Sequence, residues 1–170
     1  MRFLAFIGAL AIIAALAGAV YFFGGFYNVA ASEPDPGIVS WALPRVREAS
    51  INRHSSKITP PNTLEDPATV QAGARAFQER GCVACHGAPG ANWTKFSEGL
   101  RPDPPDLKDV VKDLGPAQLF WVIKNGINMT GMPSFGAIEV RDPEIWSIVA
   151  FIRKLPTVSP EDYKTWTAQH

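Results

Sequence analysis

A chain of 170 residues, 46% of them hydrophobic, is long enough for one domain plus extensions. Sixteen Lys and Arg balance sixteen Asp and Glu, which gives zero formal charge and a pI of about 6.8. No basic excess is left to serve a nucleic acid, so that class of partner is excluded.

Residues 3–27 carry no charged side chain and read as one apolar helix, from Phe3-Leu4-Ala5-Phe6-Ile7 to Ala19-Val20-Tyr21-Phe22-Phe23. Such a helix extends about 37 Å, beyond the roughly 30 Å hydrocarbon core of a bilayer. Tyr21, Phe22, Phe23, Phe26 and Tyr27 gather at one end, as an interfacial aromatic belt does. Arg2 is the only charge before the span, which keeps the N-terminus cytoplasmic. Residues 1–27 are therefore expected to be a single-pass anchor in the cytoplasmic membrane, with the rest of the chain on the periplasmic, outer side. The competing reading is a signal peptide cleaved after Ala31, at Val29-Ala30-Ala31. The apolar region of a signal peptide is ordinarily about 7–15 residues, shorter than this one. Both readings export the remainder.

Residues 28–66 form a connector. It opens on the turn-rich Ser32-Glu33-Pro34-Asp35-Pro36-Gly37 and then interleaves Ile38, Val39, Trp41, Leu43, Val46 and Ile51 with Arg45, Arg47, Arg53, His54 and Lys57. The apolar spacing is partly helical, and Pro44 is expected to kink or restart the helix. Two readings stand side by side: a basic amphipathic segment on the membrane or on a partner subunit, and a helix packed against the following domain. A flexible linker would leave Trp41 and its apolar neighbours exposed.

A domain is expected over residues 67–156. Asp66 caps and Pro67 opens its first helix, which runs to Arg80 with Val70, Gly73, Ala74 and Phe77 on one face and stops at Gly81. Cys82-Val83-Ala84-Cys85-His86 follows at once. The spacing C-x-x-C-H is that of c-type haem attachment: the cysteines close thioether bonds onto the two porphyrin vinyl groups, and the histidine reaches the iron. Both cysteines of the chain lie in this motif, so one covalent haem c uses every thiol. Zinc would need two further Cys or His ligands at paired spacing, whereas His54 and His170 stand alone. A thioredoxin-like dithiol would need a βαβ setting that the sequence lacks.

The next thirty or so residues, rich in Gly, Pro and Asp, read as a long loop wrapped around something that supplies its missing core. The ring N–H of His86 needs an acceptor, and the carbonyls of Pro104 and Pro105 are candidates. Pro116 opens another helix, with Leu119, Phe120, Ile123 and Ile127 on one side and Gly126 near its end. Then comes Asn128-Met129-Thr130-Gly131-Met132-Pro133. Met132, between Gly and Pro, sits on irregular backbone able to present its sulfur to a flat porphyrin face, and a thioether is an established axial partner of histidine. Met129 lies nearer the helix and can simply pack, while Met1 begins the membrane segment, out of reach. Asp142 caps and Pro143 opens the last domain helix, which Pro156 stops. In the tail, residues 157–170, Ser159-Pro160-Glu161-Asp162 starts a short helix. No segment alternates as a strand.

The order of helix, C-x-x-C-H, long loop, helix, T-G-M-P and final helix resembles monohaem class I cytochrome c over residues 67–156, and most of all the cytochrome domains attached to bacterial respiratory oxidases and dehydrogenases. The resemblance implies an all-α class I cytochrome c fold, here with an N-terminal transmembrane helix. It implies that Gly73 and Phe77 are the small and aromatic pair of the first helix, with Trp146 their partner on the last. It also implies a function: transfer of single electrons between respiratory partners, membrane complexes or dehydrogenases, through a haem held by Cys82, Cys85, His86 and Met132. An electron carrier needs no catalytic residue. The alternatives are a haem enzyme or gas sensor with an open sixth position, and a structural subunit of a respiratory complex.

Overall fold

The computed structural model describes residues 2–168; Met1 and His170 lie outside that range. Between Asp35 and Pro36 the chain divides into two compact units. The first is built on α1 (Arg2–Phe23), which has no charge after Arg2 and no buried residue. At 22 residues it is about 33 Å long, enough to cross a bilayer. It is shorter than the uncharged stretch of sequence, because Gly24 and Gly25 intervene and Gly25 takes a left-handed φ of +78°. Phe26 and Tyr27 therefore lie beyond the helix, and the Tyr27 hydroxyl donates to Asp35 Oδ1 at 2.8 Å.

The second unit is helical throughout, and no strand occurs among the described residues. Its frame is the crossing of α3 (Pro67–Glu79) with α7 (Asp142–Lys154). Val70, Ala74 and Phe77 recur at helical spacing on α3 and are buried, as are Ile145, Ile148, Val149 and Ile152 on α7. Gly73 makes the crossing possible: a Cβ there would lie 1.8 Å from Ser147 O and 3.0 Å from Phe151 Cβ. This corrects the expected partner. Phe77 packs on Phe151, ring centroids 5.3 Å apart, while Trp146 turns to the other side of α7 and stacks on Phe120 at 4.2 Å. Residues 146 and 147 point about 100° apart on a helix, so the crossing selects one and turns the other away.

The remaining elements close around this pair. α6 (Pro116–Asn125) buries Leu119, Phe120 and Ile123 against α7, and Lys124 pairs with Asp142 at 2.7 Å. Arg80, just past α3, pairs with Glu144 at 2.7 Å. α8 (Pro160–Thr167) starts at Ser159, whose hydroxyl accepts from Asp162 N, and covers α3, with the Tyr163 hydroxyl donating to Gln78 Oε1 at 2.7 Å. A 3-10 turn at Asn62–Glu65 buries Leu64 and sets Glu65 beside Arg153 and Lys154.

The connector contains α2 (Gly37–Ser55), which runs through Pro44 without interruption. Its C-terminal half packs on α6. Ile51 and Ser55 are buried, Asn52 accepts from Gln118, and His54 stacks on Trp121 at 5.7 Å. Ile38, Trp41, Leu43 and Val46 in its N-terminal half are exposed.

Candidate functional site

α3 ends at a sharp reversal. Gly81 adopts φ +74°, a left-handed conformation that favours glycine, and the chain re-enters a single helical segment, α4 (Cys82–His86). Gly87, at φ +67°, ends it. Within α4, Cys82, Cys85 and His86 stand at i, i+3 and i+4, which puts all three side chains on one face. Both cysteines are half-buried free thiols, and burial pushes the Cys82 thiol up to about 12. Cys82 and Val83 pack on the edge of the hydrophobic core made by α3, α6 and α7.

The loop after α4 folds back on it. Thr94 donates twice to Ala84 O, from its amide at 2.9 Å and its hydroxyl at 2.7 Å. Ala88 and Ala91 exchange backbone hydrogen bonds. The loop is not featureless: it holds a 3-10 turn at Lys95–Gly99 and a further helix, α5 (Leu107–Asp113). Asp106 caps α5 by accepting from Lys108 N at 2.8 Å, and Leu107 is buried. That capped start fixes the position of Pro105. Its carbonyl oxygen lies 2.9 Å from His86 Nδ1. A carbonyl can only accept, so Nδ1 carries the hydrogen and Nε2 keeps its lone pair. Burial lowers the His86 pKa, opposed by the Pro105 hydrogen bond and the Asp106 charge, and favours the neutral ring that a metal requires.

The other sulfur is held by the segment after α6. Gly126 caps that helix at φ +68°, and a Cβ there would lie 2.8 Å from Met132 O. Met132 O accepts from Ile127 N at 3.2 Å, and Met132 N donates to Thr130 Oγ1 at 3.1 Å. Beyond it, Phe135 is buried and its amide donates to Ile123 O. Met132 is thus fixed on both sides, half-buried against the same core as Cys82. Met129 is 89% exposed, on a left-handed residue at φ +59°. The Met132 thioether and the Cys82 thiol therefore meet one core from two chain segments. His54 belongs to the α2–α6 contact instead. Among the described residues no group of three or more His, Cys, Asp or Glu side chains is placed to hold a bare metal ion.

Residues 68–152, half of the chain, match the family model described as cytochrome c oxidase, cbb3-type, subunit III. The match runs from the second residue of α3 into α7, and so takes in the C-V-A-C-H turn and the T-G-M-P segment. No curated protein and no solved structure matches the chain.

Proposed function

The chain belongs to the family of cbb3-type cytochrome c oxidase subunit III and is an electron-transfer haem protein, and from that premise we propose that it is anchored in the membrane and passes single electrons between redox partners there through one covalent, His/Met-ligated haem c. The observation that carries this reading is the α4 turn, with two thiols and an imidazole on one face and the imidazole's Nδ1 committed to Pro105 O at 2.9 Å. The donor set fits a haem. Cys82 and Cys85 supply the two thioether sulfurs, and neither thiol is engaged in a disulfide. His86 offers a neutral, oriented Nε2, made more basic by the hydrogen bond at its other nitrogen. Met132 offers a soft sulfur on a braced loop, as the sixth ligand that raises a reduction potential.

Haem supplies the redox chemistry, a one-electron cycle between ferrous and ferric iron. This chain's residues do the rest: Pro105 holds the ring of His86, Ile127 and Thr130 hold the backbone of Met132, and the core beneath Cys82 keeps water away. With His86 and Met132 both on its iron, a bound haem would keep no open position for a substrate, so no residue is given a catalytic role. The partners are membrane respiratory complexes or dehydrogenases, reached from a haem domain on the outer side.

The axial pair is tested with two variants of the holoprotein. Met132→Ala is expected to abolish the methionine–iron charge-transfer absorption, admit carbon monoxide and lower the potential. Met129→Ala, at an exposed position, is expected to leave all three unchanged. The opposite pattern would move the sixth ligand to Met129.

A further inference from the structure

α2 has two faces with different duties. At 3.6 residues per turn, Ile51 and Ser55 lie on the side that packs against α6, and Ile38, Ala42 and Val46 lie nearly opposite. Trp41 and Leu43 border that second face. The exposures are large for such side chains: Ile38 76%, Trp41 59%, Val46 64%. A monomeric soluble domain rarely leaves a run of this kind uncovered.

The charges on and beside this face say what covers it. Arg45 and Arg53 project from it, and Arg47 lies farther round the helix, beyond Leu43. The Arg45 guanidinium lies 4.5 Å over the Trp41 ring and donates to Trp41 O at 2.7 Å. That pair joins a flat aromatic body to a fixed cation, the combination suited to the boundary between acyl chains and phosphate headgroups. Three arginines against the single acid Glu48 make the N-terminal two-thirds of α2 and its next turn attractive to negative charge. Chain length places that surface within reach. Residues 24–36 separate α1 from α2, and as a flexible chain span about 20 Å.

We infer that the Ile38–Val46 face of α2 lies in the headgroup layer of an anionic bilayer, with Arg45 and Arg53 on lipid phosphates, while Ile51, Asn52 and His54 hold the same helix to the haem domain. α2 then acts as a bracket that orients the domain on the membrane, where a loose tether would let it tumble. The inference rests on α1 being the anchor.

The test is spin-label accessibility in full-length holoprotein reconstituted into vesicles. Labels go on Val46→Cys, on Glu48→Cys from the other side of α2, and on Leu10→Cys within α1. In phosphatidylglycerol-containing vesicles, Val46 is expected to favour membrane-dissolved oxygen over a water-soluble nickel complex several-fold more than Glu48. Adding Arg45→Gln and Arg53→Gln is expected to bring the two positions towards equal accessibility, and pure phosphatidylcholine to do likewise. Equal, water-like accessibility at Val46 and Glu48, with Leu10 in lipid, overturns the bracket and leaves the anchor standing. A water-exposed Leu10 overturns the anchor, and the bracket with it. Protection of Val46 from both reagents in native membranes, but not in vesicles, assigns the face to a protein partner and also overturns the proposal.

Discussion

At Gly73 a single hydrogen atom decides how closely two helices approach. A methyl group there would meet Ser147 O at 1.8 Å and the adjoining carbonyl carbon at 2.5 Å, both backbone atoms of α7 that cannot rotate aside. Gly73→Ala must therefore push α3 from α7. Overpacking costs about 1–3 kcal/mol, which lowers the melting temperature of a domain this size by several degrees or more. An unchanged thermal midpoint of the holoprotein would put the tight crossing elsewhere. That a glycine amid Val70, Ala74 and Phe77 marks a close approach is legible in the sequence. Its partner is not, since neighbouring positions on α7 differ only by a rotation that tertiary packing sets. Tyr163 gives a second residue-scale expectation. It is 5% exposed, and burial raises its phenol pKa from 10.0 to about 12. A raised folded pKa means that the neutral phenol is the stabilising form. Its contribution is whole below pH 10 and is lost as pH climbs through 12. Tyr163→Phe should lose the hydrogen bond to Gln78 but no longer show that loss between those two values, as alkaline titration by circular dichroism would reveal. A wild-type transition of identical shape would clear Tyr163 of any part in it.

Among the elements, those with a proline start and an apolar stripe were readable almost to the residue. α3, α6 and α8 begin at Pro67, Pro116 and Pro160, each one residue after its cap. α7 starts a residue earlier than its proline suggests, with Arg141 in the cap position and Asp142 already helical. α3 stops at Glu79, with Arg80 as its cap, and Asp66 caps it by backbone position without a side-chain hydrogen bond. α5 escaped because seven residues carry too little periodicity to stand out among Gly, Pro and Asp, although Asp106 before Leu107, Val110 and Val111 was a usable cap signal. The site divides the same way. C-V-A-C-H announces itself by spacing, and the choice of Pro105 over Pro104 waits on the loop that α5 pins. The long connector hid most, because its two apolar faces cancel in any single-stripe reading and Pro44 suggested a break. Its attachment to α6 makes a local prediction. Ile51 is buried but stands apart from the main core, so Ile51→Ala should loosen α2 without melting α3 or α7. The cost should approach the lower end of the roughly 2–5 kcal/mol seen for such truncations. Hydrogen exchange is the right probe: amides of residues 51–55 should lose protection while those of α3 and α7 keep theirs. Uniform loss across all three helices would mean that α2 belongs to the central cooperative unit.

At the scale of the molecule the question is whether α1 stays. Its surface is apolar all round, with Phe3, Ile13 and Phe22 each more than half exposed and no buried residue along its length. A helix of that kind has no face to turn to water, so it is expected to be covered, by lipid or by protein, or to be removed. Removal after Ala31 would leave the second unit whole, because that unit begins at Pro36. The folded domain is therefore no guide to the outcome, and the discriminating quantity is helix length. α1 has 22 residues, about 33 Å, whereas the apolar region of a cleaved signal is about 7–15 residues. Retention is the expected outcome: the haem-bearing chain should stay in the membrane pellet after alkaline carbonate washing, and its intact mass should include α1. A mature chain beginning at Ser32 would instead make the protein a soluble carrier. The site on α4 would then serve diffusing partners, and α2 would have no neighbouring anchor to hold it at a bilayer. Retention confines electron exchange to partners within reach of one short linker, and the haem's orientation becomes a property of α2 as much as of the cytochrome domain.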